Sequence, residues 1–184
     1  TASVLGLEDT LKEVVIPAKV DGRSVISIEN CAFDGETSIR KVVIPSSVVA
    51  LGNHAFRNCT NLSEVEGGES LDNIGFDVME NTAWLKSRQD EVAVLGGKVV
   101  VAAPDTAQVT IPDGVTRLAD GVFMERSSLE SVALPESLER IGEKCFMKCE
   151  NLESISLNEN LMVIDSYAFY GCTKLKAIQF PASI

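Results

Sequence analysis

The chain of 184 residues is 45% hydrophobic and has 16 Lys and Arg against 27 Asp and Glu, a net charge of −11 at pH 7. The hydrophobic content is enough for a folded core and excludes a disordered chain. The acidic excess argues against nucleic acid as a partner, because phosphates attract clustered basic residues. No apolar stretch approaches the roughly 20 residues needed for membrane insertion, and residues 1–10 lack the features of a signal peptide.

The first element in chain order is the end of a degenerate repeat unit. Val14 and Ile16 alternate with other residues and are followed by Pro17, as in a half-buried strand that a proline ends. The same pattern returns 28 residues later at Pro45, five residues more than the spacing elsewhere in the chain. We assign these extra residues to a turn-like bulge at 21–25.

From Pro45 onward the sequence repeats with a period of 23 residues, which predicts a solenoid whose coils bury their apolar residues against their neighbours. The period is visible in two columns of residues. The phenylalanine column is Phe33, Phe56, Phe123, Phe146 and Phe169, and the leucine column is Leu129, Leu152 and Leu175. In each unit a short strand precedes the proline position. The segment 52–59 and its equivalents are too short for a free helix, and we predict one or two helical turns there that point Phe inward.

The period lapses after Leu85 and resumes at Val109, so that Pro112 stands 21 residues beyond position 91, where the period would place it. Within this insertion, 86–108, apolar runs flank a Gly-Gly pair, as in a β-hairpin with a two-residue turn. Trp84, the only tryptophan, is predicted to pack in the core. The last repeat stops partway, so we expect 1–184 to be a single domain and a fragment of a longer array.

The unit that runs from Ile44 to Cys59, followed by Leu62 and Val65, has the form I-P-x-x-V-x-x-L-G-x-x-A-F-x-x-C-x-x-L-x-x-V. It resembles the BspA-like class of bacterial leucine-rich repeats, and the segment 81–85 with the hairpin after it resembles an insertion that recurs in that class. The fold class we predict is therefore α/β and β-rich: a right-handed leucine-rich-repeat solenoid of about six coils, with short strands, short helical turns and an inserted β-hairpin. The resemblance implies secreted or surface-displayed proteins with roles in adhesion and protein binding, and it implies no catalytic residues.

The residues able to carry chemistry form no recognisable site. Cys59, Cys149 and Cys172 share one repeat column, in which other units have Thr or Arg, so we interpret them as small buried residues. A disulfide between Cys149 and Cys172, or a metal site, is the disfavoured alternative. His54 is the only histidine, and it has no evident nucleophile or ligand partner. We predict no catalytic, cofactor-binding or metal site, and no enzyme.

Binding is expected on the open face of the sheet, where residues between the buried strand positions project. The candidates are the polar residues of these columns: Lys41, Glu64, Glu66, Thr110, Ser131, Ser154, Ser156 and Gln179. Aromatic residues, which binding hot spots favour, are few there, so a plain solvated sheet is the competing interpretation. The insertion 86–108 is the second expected region, because segments outside the repeat are free to vary.

The predicted function is a non-enzymatic protein-binding or adhesion module, extracellular or on the surface of a bacterial cell. The expected partner is a protein, such as a host matrix protein, or a glycan. One alternative is a structural spacer that presents another domain, and a second is an accessory module of an extracellular enzyme.

Overall fold

The computed structural model describes residues 12–88, 92–102 and 106–184, and in this part of the chain α1 (Ala83–Lys86) is the one α-helix. None of the described residues form a helix long and apolar enough to cross a membrane. The strands of the described residues are β1 (Lys12–Val15), β2 (Lys19–Val20), β3 (Arg23–Ser24), β4 (Ser27–Ile28), β5 (Ile39–Ile44), β6 (Ala50–Leu51), β7 (Glu64–Gly67), β8 (Asn73–Ile74), β9 (Val92–Leu95), β10 (Lys98–Ala102), β11 (Gln108–Thr110), β12 (Arg117–Leu118), β13 (Ser131–Ala133), β14 (Arg140–Ile141), β15 (Ser154–Ile155) and β16 (Val163–Ile164).

The strands of successive coils stack in parallel in two columns. In the first column β5 lies between β1 and β7, and β13 lies between β11 and β15; in the second column β6 lies between β4 and β8, and β14 lies between β12 and β16. The register pairs residues one repeat apart, for example Ser131 with Ser154 and Arg117 with Arg140. The 23-residue period is therefore the length of one coil, and the predicted solenoid of about six coils is confirmed.

The five extra residues of the first unit form a small antiparallel pair. Strands β2 and β3 pair with each other, and Asp21 and Gly22 between them have φ values of 49° and 77°. Positive φ at both central positions is typical of a two-residue hairpin turn. Val14 of β1 still lies beside Val42 of β5, so the bulge lengthens the first coil without removing its strand from the column.

The segments for which we predict helical turns have a different hydrogen-bond pattern. In 52–59 the N–H groups of His54, Phe56 and Asn58 donate to carbonyl oxygens of the following coil, while the N–H groups between them donate three residues back. His54 and Asn58 have φ values of 58° and 59°, which interrupt a helical path. The helical turns are not confirmed, because alternate N–H groups bind the neighbouring coil rather than their own segment.

Stacked phenylalanine rings fill the interior behind these turns. The ring centroids of Phe123 and Phe146 are 5.1 Å apart, those of Phe146 and Phe169 are 5.3 Å apart, and both pairs lie within 6° of parallel. Phe33 and Phe56 stack in the same way at 5.2 Å. Phe56, Phe123 and Phe146 are buried as predicted, whereas Phe169 is half-buried.

The core has two parts, and the strand pair β9–β10 lies between them. Ala93, Leu95 and Val100 pack with the apolar residues of the first half of the chain (12–88), whereas Val92 and Val99 pack with those of the second half (106–184). Successive side chains of a strand point to opposite faces, so this antiparallel pair is buried on both sides. Strand β10 also pairs with β12, which joins the pair to the second half.

Candidate functional site

The first part of the open sheet face brings Lys41, Glu64 and Glu66 together on β5 and β7. The Nζ atom of Lys41 is 2.7 Å from Oε1 of Glu66 and 3.5 Å from Oε1 of Glu13, and Glu64 lies opposite Lys41 in the register. The hydrogen bond to Glu66 raises the pKa of Lys41. Two carboxylates therefore share one ammonium, and with Glu64 on the neighbouring strand this part of the face has an excess of negative charge.

The second part of the open face is uncharged and carries hydroxyl groups beside apolar residues. Ser131 and Ser154 are opposite each other on β13 and β15, and Thr110 of β11 is opposite Ala133. Together with Ser156, the residues of β13 and β15 line an open depression with a volume of about 340 Å³. Serine hydroxyls both donate and accept hydrogen bonds, so this depression suits a ligand with mixed donors and acceptors.

The predicted candidates do not lie on one continuous sheet. Strand β7 is the last strand of the first sheet and β11 is the first strand of the second. Gln179 is exposed and lies outside the described strands. The structure thus brings the candidates together in two groups, one of Lys41, Glu64 and Glu66, and one of Thr110, Ser131, Ser154 and Ser156.

The insertion 86–108 is not an exposed binding loop where the structure describes it. Val92, Ala93, Leu95, Val99 and Val100 are each 5% exposed or less. The prediction that a partner binds here is wrong for β9 and β10, because both faces of this pair are used in packing. Its nearly continuous apolar sequence is the signal that indicates burial on both faces.

The thiol column points into the interior. The Sγ atoms of Cys59, Cys149 and Cys172 donate to main-chain carbonyl oxygens of the preceding coil at 2.9–3.0 Å. Burial raises the pKa of Cys59 to about 11 and that of Cys149 to about 12. All five cysteines are free thiols, and no three His, Cys, Asp or Glu side chains of the described residues converge as metal ligands would. A protonated thiol aimed at a backbone carbonyl is a poor nucleophile.

Sequence reasoning did not identify a charged cluster at the junction of the two halves. Arg117 is only 3% exposed; its guanidinium donates to the main-chain oxygen of Asp72 and lies 3.6 Å from Oδ1 of Asp120. Burial lowers the pKa of Arg117 and raises that of Asp120. Arg140 binds Asp165 at 2.8 and 2.9 Å beside them. Each charge has a counter-charge, so the cluster ties the halves together.

Residues 8–90 and 102–184 match the model of the BspA type leucine rich repeat region, in six copies. The chain belongs to this family. The residues that the BspA-type model leaves out, between 90 and 102, include β9 and most of β10, in agreement with the separate packing of this strand pair between the two halves.

Three solved structures of leucine-rich repeat proteins are similar to this BspA-type chain. The protein of T. pallidum is 27% identical, with a TM-score of 0.47, and the match covers 95% of this chain and 72% of that chain. The protein of Bacteroides ovatus is 26% identical, with a TM-score of 0.44 and coverages of 100% and 52%. A leucine rich cell surface protein of Faecalibacterium prausnitzii is 27% identical, with a TM-score of 0.47 and coverages of 94% and 48%. The chain spans about half the length of these last two proteins. Among curated proteins, none matches the chain.

Proposed function

We propose that this BspA-type chain is a non-enzymatic binding module and that its open sheet face holds a segment of a partner protein. The observation that carries the proposal is the contrast between the two faces of one strand. Val132 of β13 is 5% exposed, while Ser131 and Ala133 on either side project outward and line the depression. Stacking fixes the interior residues of a repeat array, so the outward positions are free to carry specificity.

The two parts of the open face favour different contacts. In the first half Glu13 and Glu66 pair with Lys41 and Glu64 lies opposite it in the register, and this negative charge favours a basic partner segment. The depression beside Ser154 in the second half favours small polar groups. The strands at both places already pair through their backbones, so the partner is held by side chains. A segment that crosses both sheets would thus be basic at one end and small and polar at the other.

We further propose an extracellular or cell-surface location in a bacterium and a role in adhesion, with a host matrix protein or a glycan as the ligand. The resemblance of the repeat unit to surface-displayed BspA-like proteins motivates this part of the proposal. The depression on β13 and β15 offers serine hydroxyls beside apolar residues, and sugars and extended peptides both present donors and acceptors that such hydroxyls can bind.

The second candidate is a structural spacer that presents another domain, including the accessory module of an extracellular enzyme. The observation that favours it is the composition of the open face in the second half, where Thr110, Ser131, Ser154 and Ser156 supply no aromatic ring or guanidinium of the kind that dominates tight interfaces. A spacer needs only the continuous stacking of coils.

The test begins with biolayer interferometry of the purified chain against a panel of host matrix proteins and glycans. For a basic ligand, Glu64→Gln combined with Glu66→Gln is expected to weaken binding about tenfold, which corresponds to about 1.4 kcal/mol, and to leave Tm nearly unchanged because exposed ion pairs add little stability. Glu136→Gln with Glu159→Gln removes the same charge from two other exposed positions and serves as the matched control.

A further pair of changes tests the depression. Ser154→Lys and Ser156→Lys place two long side chains across it and are expected to abolish binding of a ligand that lies there. Should the affinity survive both pairs of changes, the open face is not the binding site, and the spacer becomes the better proposal.

A further inference from the structure

Six outward side chains of the open sheet face form a grid of two columns where β1, β5 and β7 lie side by side. In register order the columns are Glu13, Lys41 and Glu64, and Val15, Val43 and Glu66. We call this set the Lys41 grid. Strand β5 has a paired strand on each side, so its two members, Lys41 and Val43, have the surroundings of an inner strand.

The second half of the chain shows that the fold does not need charges at these positions. The equivalent residues there are uncharged, and they are Gln108, Ser131 and Ser154 in one column and Thr110, Ala133 and Ser156 in the other. Counted back from the proline after each strand, Gln108 corresponds to Lys41. Thr110 corresponds in the same way to Val43. Stacking of the strands therefore does not require Lys41 or the carboxylates around it.

Lys41 occupies two of the carboxylates that a basic partner would use. Its Nζ atom lies 2.7 Å from Oε1 of Glu66 and 3.5 Å from Oε1 of Glu13, and its side chain is 26% exposed, against 58% and 54% for the two glutamates. Among the described residues, none forms a hydrogen bond or an ion pair with the carboxylate of Glu64. The grid therefore offers one free carboxylate, and a positive charge that approaches either of the others meets the Lys41 ammonium.

The valine beside the free carboxylate suits the stem of a long basic side chain. Val43 and Glu64 are diagonal neighbours on β5 and β7. Their separation is about 8 Å, from a strand spacing of about 4.8 Å and a rise of about 3.3 Å per residue. Lysine and arginine have an apolar stem and a charged head, so one such side chain of a partner can lie on Val43 and direct its charge to Glu64.

We propose, on the basis of the function proposed for the open sheet face, that Lys41 is a specificity-determining residue there. It restricts the partner segment to a single basic side chain, whose stem packs on Val43 and whose charge pairs with Glu64. By holding Glu13 and Glu66, Lys41 leaves one carboxylate for a cation and repels a second cation, since like charges across an interface are unfavourable. Without Lys41 all three carboxylates are free, and a cluster of basic residues is favoured.

A peptide array tests this restriction. Ten-residue peptides of valine, serine and glycine that contain zero, one, two or three arginines are probed with the whole chain and with Lys41→Gln, which places at 41 the residue found at the equivalent Gln108. The unmodified chain is expected to select peptides with one arginine, and Lys41→Gln is expected to select peptides with two or three. In fluorescence polarisation, Lys41→Gln should raise the affinity for a peptide with two arginines about fivefold, the effect of one like charge removed at close range.

A matched control removes the same charge elsewhere. Lys176→Gln changes an exposed lysine near the other end of the array and should leave the selection unchanged. Thermal melts of both variants should give nearly the Tm of the unmodified chain, because exposed ion pairs add little stability. A changed selection in Lys41→Gln alone is then an effect on binding and not on folding.

Three further variants test the contacts of the single basic side chain. Glu64→Gln should weaken binding of the one-arginine peptide more than Glu66→Gln does, because only the second carboxylate is already paired with Lys41. Val43→Thr, for which Thr110 is the precedent in the fold, should weaken this peptide about threefold, since it replaces one methyl group by a hydroxyl. It should leave the preference for one arginine intact.

The outcomes separate this proposal from the function on which it rests. Equal selection by the unmodified chain and Lys41→Gln, or weaker binding by Lys41→Gln, would overturn the role of Lys41, while binding that still depends on Glu64 would keep the open face as the site. Peptide binding that survives Glu64→Gln combined with Glu66→Gln would reject both. Absence of any bound peptide for both chains would overturn the role of Lys41, and the panel of matrix proteins and glycans then decides separately on the open face.

Discussion

Truncation of one stacked ring tests the account of the core. Phe146 is 0% exposed and lies between the parallel rings of Phe123 and Phe169. Burial of a phenylalanine side chain contributes about 1.5–3 kcal/mol, and each stacked pair adds about 0.5–1.5 kcal/mol. Phe146→Ala is therefore expected to lower the free energy of unfolding by about 3–5 kcal/mol, which is the usual range for a phenylalanine that leaves a cavity.

Urea unfolding followed by circular dichroism measures this loss, and for a chain of this size Tm should fall on the order of 10 °C. Phe180→Ala is the matched control, because Phe180 is 61% exposed and its truncation should change stability by less than about 0.5 kcal/mol. A loss below about 1 kcal/mol for Phe146→Ala, or equal losses for the two variants, would refute the continuous ring stack as a source of stability.

Three other substitutions test the thiol column, the junction and the β9–β10 turn. Above pH 9 the free energy of unfolding should fall as pH rises, because the unfolded thiol, with a pKa of about 8.5, releases a proton that folded Cys149 retains up to a pKa of about 12. Urea melts should show a loss of about 1.4 kcal/mol per pH unit for one thiol, and this loss should be smaller in Cys149→Ala. Arg117→Met should destabilise the chain by about 1.5–3 kcal/mol, because it removes a buried charged donor from Asp72 and Asp120. Arg140→Met, at a more exposed site, should cost less than about 1 kcal/mol. Similar losses for the two variants in thermal melts would contradict a special role for the junction. Gly96→Ala should lower stability clearly more than Gly22→Ala in the same melts, since both glycines have positive φ but only a Cβ at Gly96 meets the backbone of Gly68. Equal losses would mean that the strain of the left-handed backbone, about 1–2 kcal/mol, is the only cost at both positions.

The interior of the solenoid follows from the sequence because stacking repeats the same apolar position in every coil. Phe146 and Leu152 recur one period away as Phe123 and Leu129, and the described members of these columns are buried or half-buried. Trp84 is 3% exposed, as predicted from the in-register position of its neighbour. Periodicity fixes such columns without any knowledge of backbone angles.

The turn segments could not be predicted in the same way. His54, Lys144 and Tyr167 adopt positive φ, yet they share no residue type, and glycine appears at this position only as Gly121. Without a column of glycine or asparagine, local sequence carries no signal for the left-handed conformation. The short segments consequently look helical, although their N–H groups bind the next coil.

The candidate surfaces were predictable only in part. Alternation along the strands identifies Ser131 and Ser154 as outward neighbours, and their register agrees. The ion pair between Lys41 and Glu66 is a diagonal contact across two strands, which depends on side-chain conformation.

The strand pair β9–β10 changes how an opening spreads through the molecule. In a uniform array each coil contacts only its neighbours, so unfolding can pass from one coil to the next. Release of the second half frees Val92 and Val99, but Ala93 and Leu95 remain held in the core of the first half. We therefore expect a local opening that begins at one end of the array to stop at this shared layer.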